Sequence, residues 1–156
     1  MLQIGDTAPA FSAPSQYGET QTLDALKGSW VLLYFYPKDD SPGCTAEACG
    51  LRDSINALRS HDVKVIGVSA DSEESHKDFS AKFALQFPLL ADVNKKIINA
   101  YGVWGEKSMY GKTYMGTLRT SFLIDPDGII RKVYEKVKPD DHAAEVLKDM
   151  QELRKI

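Results

Sequence analysis

The segment Trp30-Val31-Leu32-Leu33-Tyr34-Phe35-Tyr36 is an unbroken apolar and aromatic run of strand length, the pattern of a strand buried on both faces and central in its sheet. The period then changes. From 42 to 60 the apolar residues Leu51, Ile55 and Leu58 recur at helical spacing, and Val63-Lys64-Val65-Ile66-Gly67-Val68-Ser69 reads as the next strand. Strand, helix and strand in that order make a βαβ unit, with parallel strands and a right-handed crossover. Further helices are predicted over 73–84, 95–101 and 140–154, and the segments 120–124 and 129–134 flank Pro126-Asp127-Gly128 as a β-hairpin. Residues 4–28 form an extension with a short hairpin of their own. The Gly-rich stretch 102–116 lacks the order of a phosphate loop and sits before a strand, so it reads as a surface loop.

A parallel βαβ unit followed by a β-hairpin and a terminal helix is the order of a thioredoxin-like fold, an α/β architecture whose central mixed sheet is flanked by helices. With 156 residues and 43% hydrophobic content, the chain suits one domain, 1–156, with a substantial core. Nineteen Lys plus Arg against 22 Asp plus Glu give a formal charge of −3 with the signs mixed, which argues against nucleic acid or an anionic membrane as partner. Met1-Leu2-Gln3-Ile4-Gly5-Asp6 is neither a signal nor a transit pattern, and no apolar run approaches about 18 residues, so a cytoplasmic protein is expected. The charged faces of the helices at 73–84 and 140–154 read as solvated surface.

The chemistry concentrates in Cys44 and Cys49, the chain's two cysteines. Ser41 suits a helix N-cap and Pro42 the first helical position, which puts Cys44 in the first turn, where unpaired N–H groups and the macrodipole favour a thiolate. The dipole contributes at most about 2 kcal/mol, whereas lowering a thiol from a pKa near 8.5 to about 6 takes roughly 3.4 kcal/mol, so a second positive group is required. Five helical residues separate two Cα atoms by about 8.6 Å, beyond the roughly 7 Å limit for a disulfide. A Cys44–Cys49 bond therefore demands local unwinding. Other readings of the pair are two small buried hydrophobes, a metal site or a Cys–His hydrolase. His61, His76 and His142 are scattered, and nothing local brings one to Cys44.

Tyr34-Phe35-Tyr36-Pro37, then Ser41-Pro42-Gly43-Cys44-Thr45 and Cys49, resemble the active-site signature of the peroxiredoxins, in the subgroup called bacterioferritin comigratory proteins. Tyr101-Gly102-Val103-Trp104-Gly105-Glu106-Lys107, Met109-Tyr110-Gly111-Lys112 and Arg119-Thr120-Ser121-Phe122-Leu123-Ile124-Asp125 are similar to later blocks of that subgroup, from about residue 4 to the C-terminus. Ser41 departs from the family's usual threonine, keeping the hydroxyl without the methyl that fixes its rotamer.

The resemblance implies a peroxidatic Cys44, a resolving Cys49, and roles for Pro37 in shielding the thiolate, Ser41 in holding the peroxide and Arg119 in supplying positive charge. It implies hydrogen peroxide and small organic hydroperoxides as substrates, thioredoxin or a similar dithiol as reductant, no cofactor or metal, and a monomer. Glu47, one turn into the helix, either orients Arg119 or complements the dipole. Trp104, Met109, Tyr110, Tyr114 and Met115 offer an adaptable wall near the cysteine as the alternative to a plain loop. Two rival functions remain open: a dithiol reductase, which the Cys-x₄-Cys spacing disfavours, and a holdase that captures unfolded chains.

Overall fold

The computed structural model describes residues 2–154. Its strands are β1 (Ser12–Pro14), β2 (Thr20–Thr22), β3 (Trp30–Phe35), β4 (Val63–Ser69), β5 (Leu89–Ala91), β6 (Trp104–Met109), β7 (Lys112–Thr117), β8 (Thr120–Ile124) and β9 (Ile130–Glu135). The helices are α1 (Pro42–Asp53), α2 (Ile55–Ser60), α3 (Glu73–Lys82), α4 (Lys96–Ala100) and α5 (His142–Leu153). Five strands form the main sheet in the order β5-β4-β3-β8-β9, with β3 parallel to β4 and antiparallel to β8. This is the mixed α/β sheet of a thioredoxin-like fold, and β3 is its central strand.

All six residues of β3 are buried, and their alternation divides the core in two. Trp30, Leu32 and Tyr34 join a cluster with Leu51, Leu58, Phe79, Val146 and Met150. Val31, Leu33 and Phe35 enter a second cluster with Phe11, Ile97, Ile98, Tyr101 and Phe122. The sheet is thereby packed on both faces, which makes β3 a stiff support for the segment that follows it. The N-terminal extension is the antiparallel pair β1–β2, and it is tied down by the bridges Thr7 to Ile129 and Ser15 to Leu90.

Three features differ from the sequence expectation. The helix expected over 42–60 is two helices, interrupted at Ser54, whose φ is −101° and whose N–H is shared between the carbonyls of Gly50 and Leu51. Strand β5 was not expected, because three residues after Phe87-Pro88 are too short to show a period. The stretch 102–116 is largely a β-hairpin, β6 paired with β7 from Trp104–Thr117 to Met109–Lys112. Its two-residue turn, Tyr110-Gly111, has φ of 53° and 78°, the twist that matches a tight hairpin.

Gly67 of β4 shows how closely the sheet is packed behind the first cluster. A Cβ there would lie 2.8 Å from Leu89 Cδ2 and 2.9 Å from the Tyr34 ring. Gly67→Ala should therefore destabilise the fold by about 1–3 kcal/mol in denaturant melts. Unchanged stability would show that Tyr34 and Leu89 yield freely.

Candidate active site

Strand β3 hands the chain directly to the cysteine helix. Tyr36 extends the sheet by donating its N–H to Val68 O, and residues 37–41 then turn into α1, with Asp40 at φ 61°. Ser41 occupies the N-cap position with extended backbone, Pro42 begins the helix and Cys44 lies in its first turn, as the sequence predicts. The side chain of Ser41 does not cap. Its Oγ donates to Lys38 O at 2.9 Å, and the first helical bond runs from Thr45 N–H to Ser41 O, so the N–H groups of Gly43 and Cys44 precede the ladder.

Cys44 is 1% exposed. Its Sγ accepts a hydrogen bond from Arg119 Nη2 at 3.3 Å, while Arg119 Nη1 donates to Glu47 Oε1 at 2.9 Å. The guanidinium thus bridges Cys44 and Glu47 across 75 and 72 residues of sequence, the contact expected if Glu47 orients Arg119. Arg119 reaches this place because residue 43 is glycine, since a Cβ there would stand 3.0 Å from Nη2. Burial works against the guanidinium charge, but Cys44 and Glu47 outweigh it and hold Arg119 above its ordinary pKa.

Two groups near this centre escaped the sequence reading. Lys107, on β6, donates from Nζ to Thr117 O at 3.0 Å; burial and then Arg119 hold its ammonium below the ordinary lysine value, against the pull of Cys44. Tyr34 lies behind the site with a buried hydroxyl, and burial, followed by Glu47 and Cys44, raises its pKa well above normal. Lys107 falls inside the Trp104-Gly105-Glu106-Lys107 block, which was the available signal. Tyr34 falls inside the Tyr34-Phe35-Tyr36-Pro37 block, but as one aromatic in an apolar run nothing marked its hydroxyl as facing the site.

The remaining candidates are placed unevenly. Pro37 is half-buried in the segment between β3 and α1, and Cys49 is half-buried in the same helix as Cys44, both thiols being free. Tyr110, Tyr114 and Met115 are exposed on the β6–β7 hairpin, and Lys95 lies over the Trp104 ring at 5.2 Å. The side chain of Met109 lies outside the described residues. The charged faces of the helices at 73–84 and 140–154 are solvated, with Glu73, Glu74, Lys77, Asp78, Glu145 and Lys148 exposed, while His76 and His142 turn inward and are buried. His142 pairs with Ser121 Oγ at 2.8 Å, and burial, then Arg119, lowers its pKa to about 4. Among the described residues no helix is long and apolar enough to cross a membrane.

A buried thiol in the first turn of a helix, with a guanidinium on its sulfur, is suited to nucleophilic attack as a thiolate. The AhpC/TSA family model matches residues 4–133. Peroxiredoxin Bcp of Escherichia coli (strain K12) is 47% identical over 151 residues, covering 97% of each chain. Peroxiredoxin Bcp of Bacillus subtilis (strain 168) is 45% identical over 152 residues, again covering 97% of each. Among solved structures, the Bacterioferritin Comigratory Protein of Xanthomonas campestris, described in trapped intermediate and ligand complexes bearing on its alkyl peroxide reduction, is 37% identical with a TM-score of 0.86, covering 92% of this chain and 91% of that one.

Glu47 gives the site a pH signature. Burial raises its carboxyl from 4.5 to about 7, with Arg119 pulling the other way. A carboxyl raised on folding contributes stability that is fully present below its unfolded value and lost as pH rises through its folded value. Glu47→Gln keeps an oxygen for Arg119 and removes the titration. Wild-type stability should fall relative to E47Q between about pH 4.5 and 7, by up to about 3 kcal/mol in denaturant melts. Parallel curves would place that ionisation elsewhere.

Proposed function

The chain belongs to the AhpC/TSA family as a peroxiredoxin, a thiol peroxidase, and on that premise we propose that Cys44 is the peroxidatic cysteine and Cys49 the resolving one, with thioredoxin or a similar dithiol as reductant. The observation that carries this reading is the Arg119 Nη2 contact to Cys44 Sγ at 3.3 Å. It supplies the second positive group that the helix terminus alone lacks.

In the proposed cycle the Cys44 thiolate attacks the terminal oxygen of hydrogen peroxide or an organic hydroperoxide. The O–O bond breaks, the leaving oxygen takes a proton as water or alcohol, and Cys44 becomes a sulfenic acid. Arg119 and the N–H groups of residues 43 and 44 offset the negative charge along this path. Pro37 shields the sulfur from water and Ser41 Oγ meets the peroxide. Opening of α1 lets the Cys49 thiol attack Cys44 Sγ, expelling water and forming the disulfide. An external dithiol then reduces that bond by exchange, becoming a disulfide itself.

Both cysteines lie in one helix, so the cycle is complete within one chain, and we place it in a single domain acting as a monomer. Two free thiols five residues apart also accord with a reducing, cytoplasmic setting.

In a coupled thioredoxin, thioredoxin reductase and NADPH assay, Cys44→Ser should consume no peroxide. Cys49→Ser should consume about one equivalent and then stop. Sustained turnover by Cys49→Ser would remove Cys49 from the cycle, and activity in Cys44→Ser would remove the nucleophile.

A further inference from the structure

Helix α3 contributes a buried His76–Asp39 hydrogen-bonded pair that the cycle above does not use, and this pair grips the segment leading into the cysteine helix. His76 Nε2 lies 2.9 Å from the carbonyl oxygen of Leu90, and Nδ1 lies 2.7 Å from Asp39 Oδ2. Both ring nitrogens face oxygens, so the ring ties the Asp39 carboxyl to the β5 backbone from its two sides. Asp39 also accepts from Tyr36 Oη at 2.6 Å and from Ser75 Oγ at 2.8 Å. The side chains of His76 and Asp39 are 0% and 4% exposed. Desolvation offsets much of the attraction in such a pair, so its main effect is to fix geometry rather than to add stability.

The geometry that it fixes is that of residues 36–40. The Asp39 N–H donates to Asp71 Oδ2 at 2.9 Å, and Asp40 meets Lys82 at 2.8 Å. The partners that hold Asp39 and Asp40 from outside the segment, Asp71, Ser75, His76 and Lys82, belong to α3 or the turn before it. None belongs to α1. The anchored stretch ends at Asp40, whose left-handed φ of 61° marks a bend immediately before the N-cap.

We propose that His76 and Asp39 are positioning residues, which hold the segment bearing Pro37, and Ser41 through its Oγ bond to Lys38 O at 2.9 Å, as the fixed wall of the peroxide pocket while the helix beyond Ser41 unwinds for resolution. This rests on the assignment of Cys44 and Cys49 above. The wall then survives each cycle without having to refold, because its anchor is on the far side of the bend from the moving helix.

Rapid-quench mass spectrometry of the reduced protein mixed with hydrogen peroxide reads the two steps separately, as oxidation of Cys44 and as appearance of the disulfide. His76→Asn keeps a donor at the Nδ1 position, toward Asp39. His76→Gln keeps one at the Nε2 position, toward Leu90, and releases the anchor. H76Q should slow oxidation by peroxide about tenfold, with disulfide formation within about twofold of wild type, while H76N restores oxidation to within about threefold. Asp39→Ala should reproduce the H76Q pattern and serves where H76Q does not fold. Wild-type oxidation rates in H76Q and Asp39→Ala would overturn the inference alone, as would an H76N as slow as H76Q, which would point to packing of the ring. A wild-type protein left unoxidised at Cys44 would overturn the peroxidase cycle, and this inference with it.

Discussion

A thiolate buried at the Cys44 position would need compensation where it stands, and the groups around that sulfur are of the kind that would provide it. The first turn of α1 supplies unpaired N–H groups and a partial positive charge, which are insufficient alone. Arg119 places a guanidinium on that sulfur, arriving from between β7 and β8 and lying on the helix start because Gly43 leaves room. Its own charge is held in turn by Glu47, one helical turn beyond Cys44. Three charged or chargeable groups therefore share one small volume, and burial of the carboxylate is the cost of keeping the guanidinium aimed at sulfur.

The same helix creates the second constraint. Cys44 and Cys49 are free in an intact α1, where the helical repeat keeps their Cα atoms about 8.6 Å apart. Forming a disulfide means giving up helical hydrogen bonds and the fit of α1 to its neighbours. That fit is close: Cys44, Ala48 and Leu51 of α1 are buried in the first core cluster, so unwinding gives up their packing as well. Strand β3, buried along its whole length, would be the fixed base for such an opening.

The parts of this that could be read in the sequence are local. The run from Trp30 to Tyr36 and the Ser41-Pro42 helix start placed β3, α1 and the first-turn position of Cys44, because burial and capping leave signatures within a few residues. The β6–β7 hairpin was missed because most of β7 is exposed, so no alternation of apolar and polar residues marks it. Ser54 split a helix whose apolar spacing continues across the break. The long-range pairs were beyond local periodicity altogether. Nothing about His76 in a charged helix announces a partner 37 residues earlier, and the Arg119–Glu47 contact spans 72. Arg119 itself was found through the family block that contains it.

The central claim is that Cys44 and Cys49 close on one another after Cys44 is oxidised. Intact mass and peptide mapping of the reduced protein, before and after one equivalent of hydrogen peroxide, test it most directly, with cleavage after Glu47 separating the two cysteines. Closure of the pair should appear as a loss of about 2 Da and a crosslink joining the Cys44 and Cys49 peptides. An unchanged mass with both thiols still reduced after prolonged exposure would contradict it and return the two cysteines to the role of ordinary core residues.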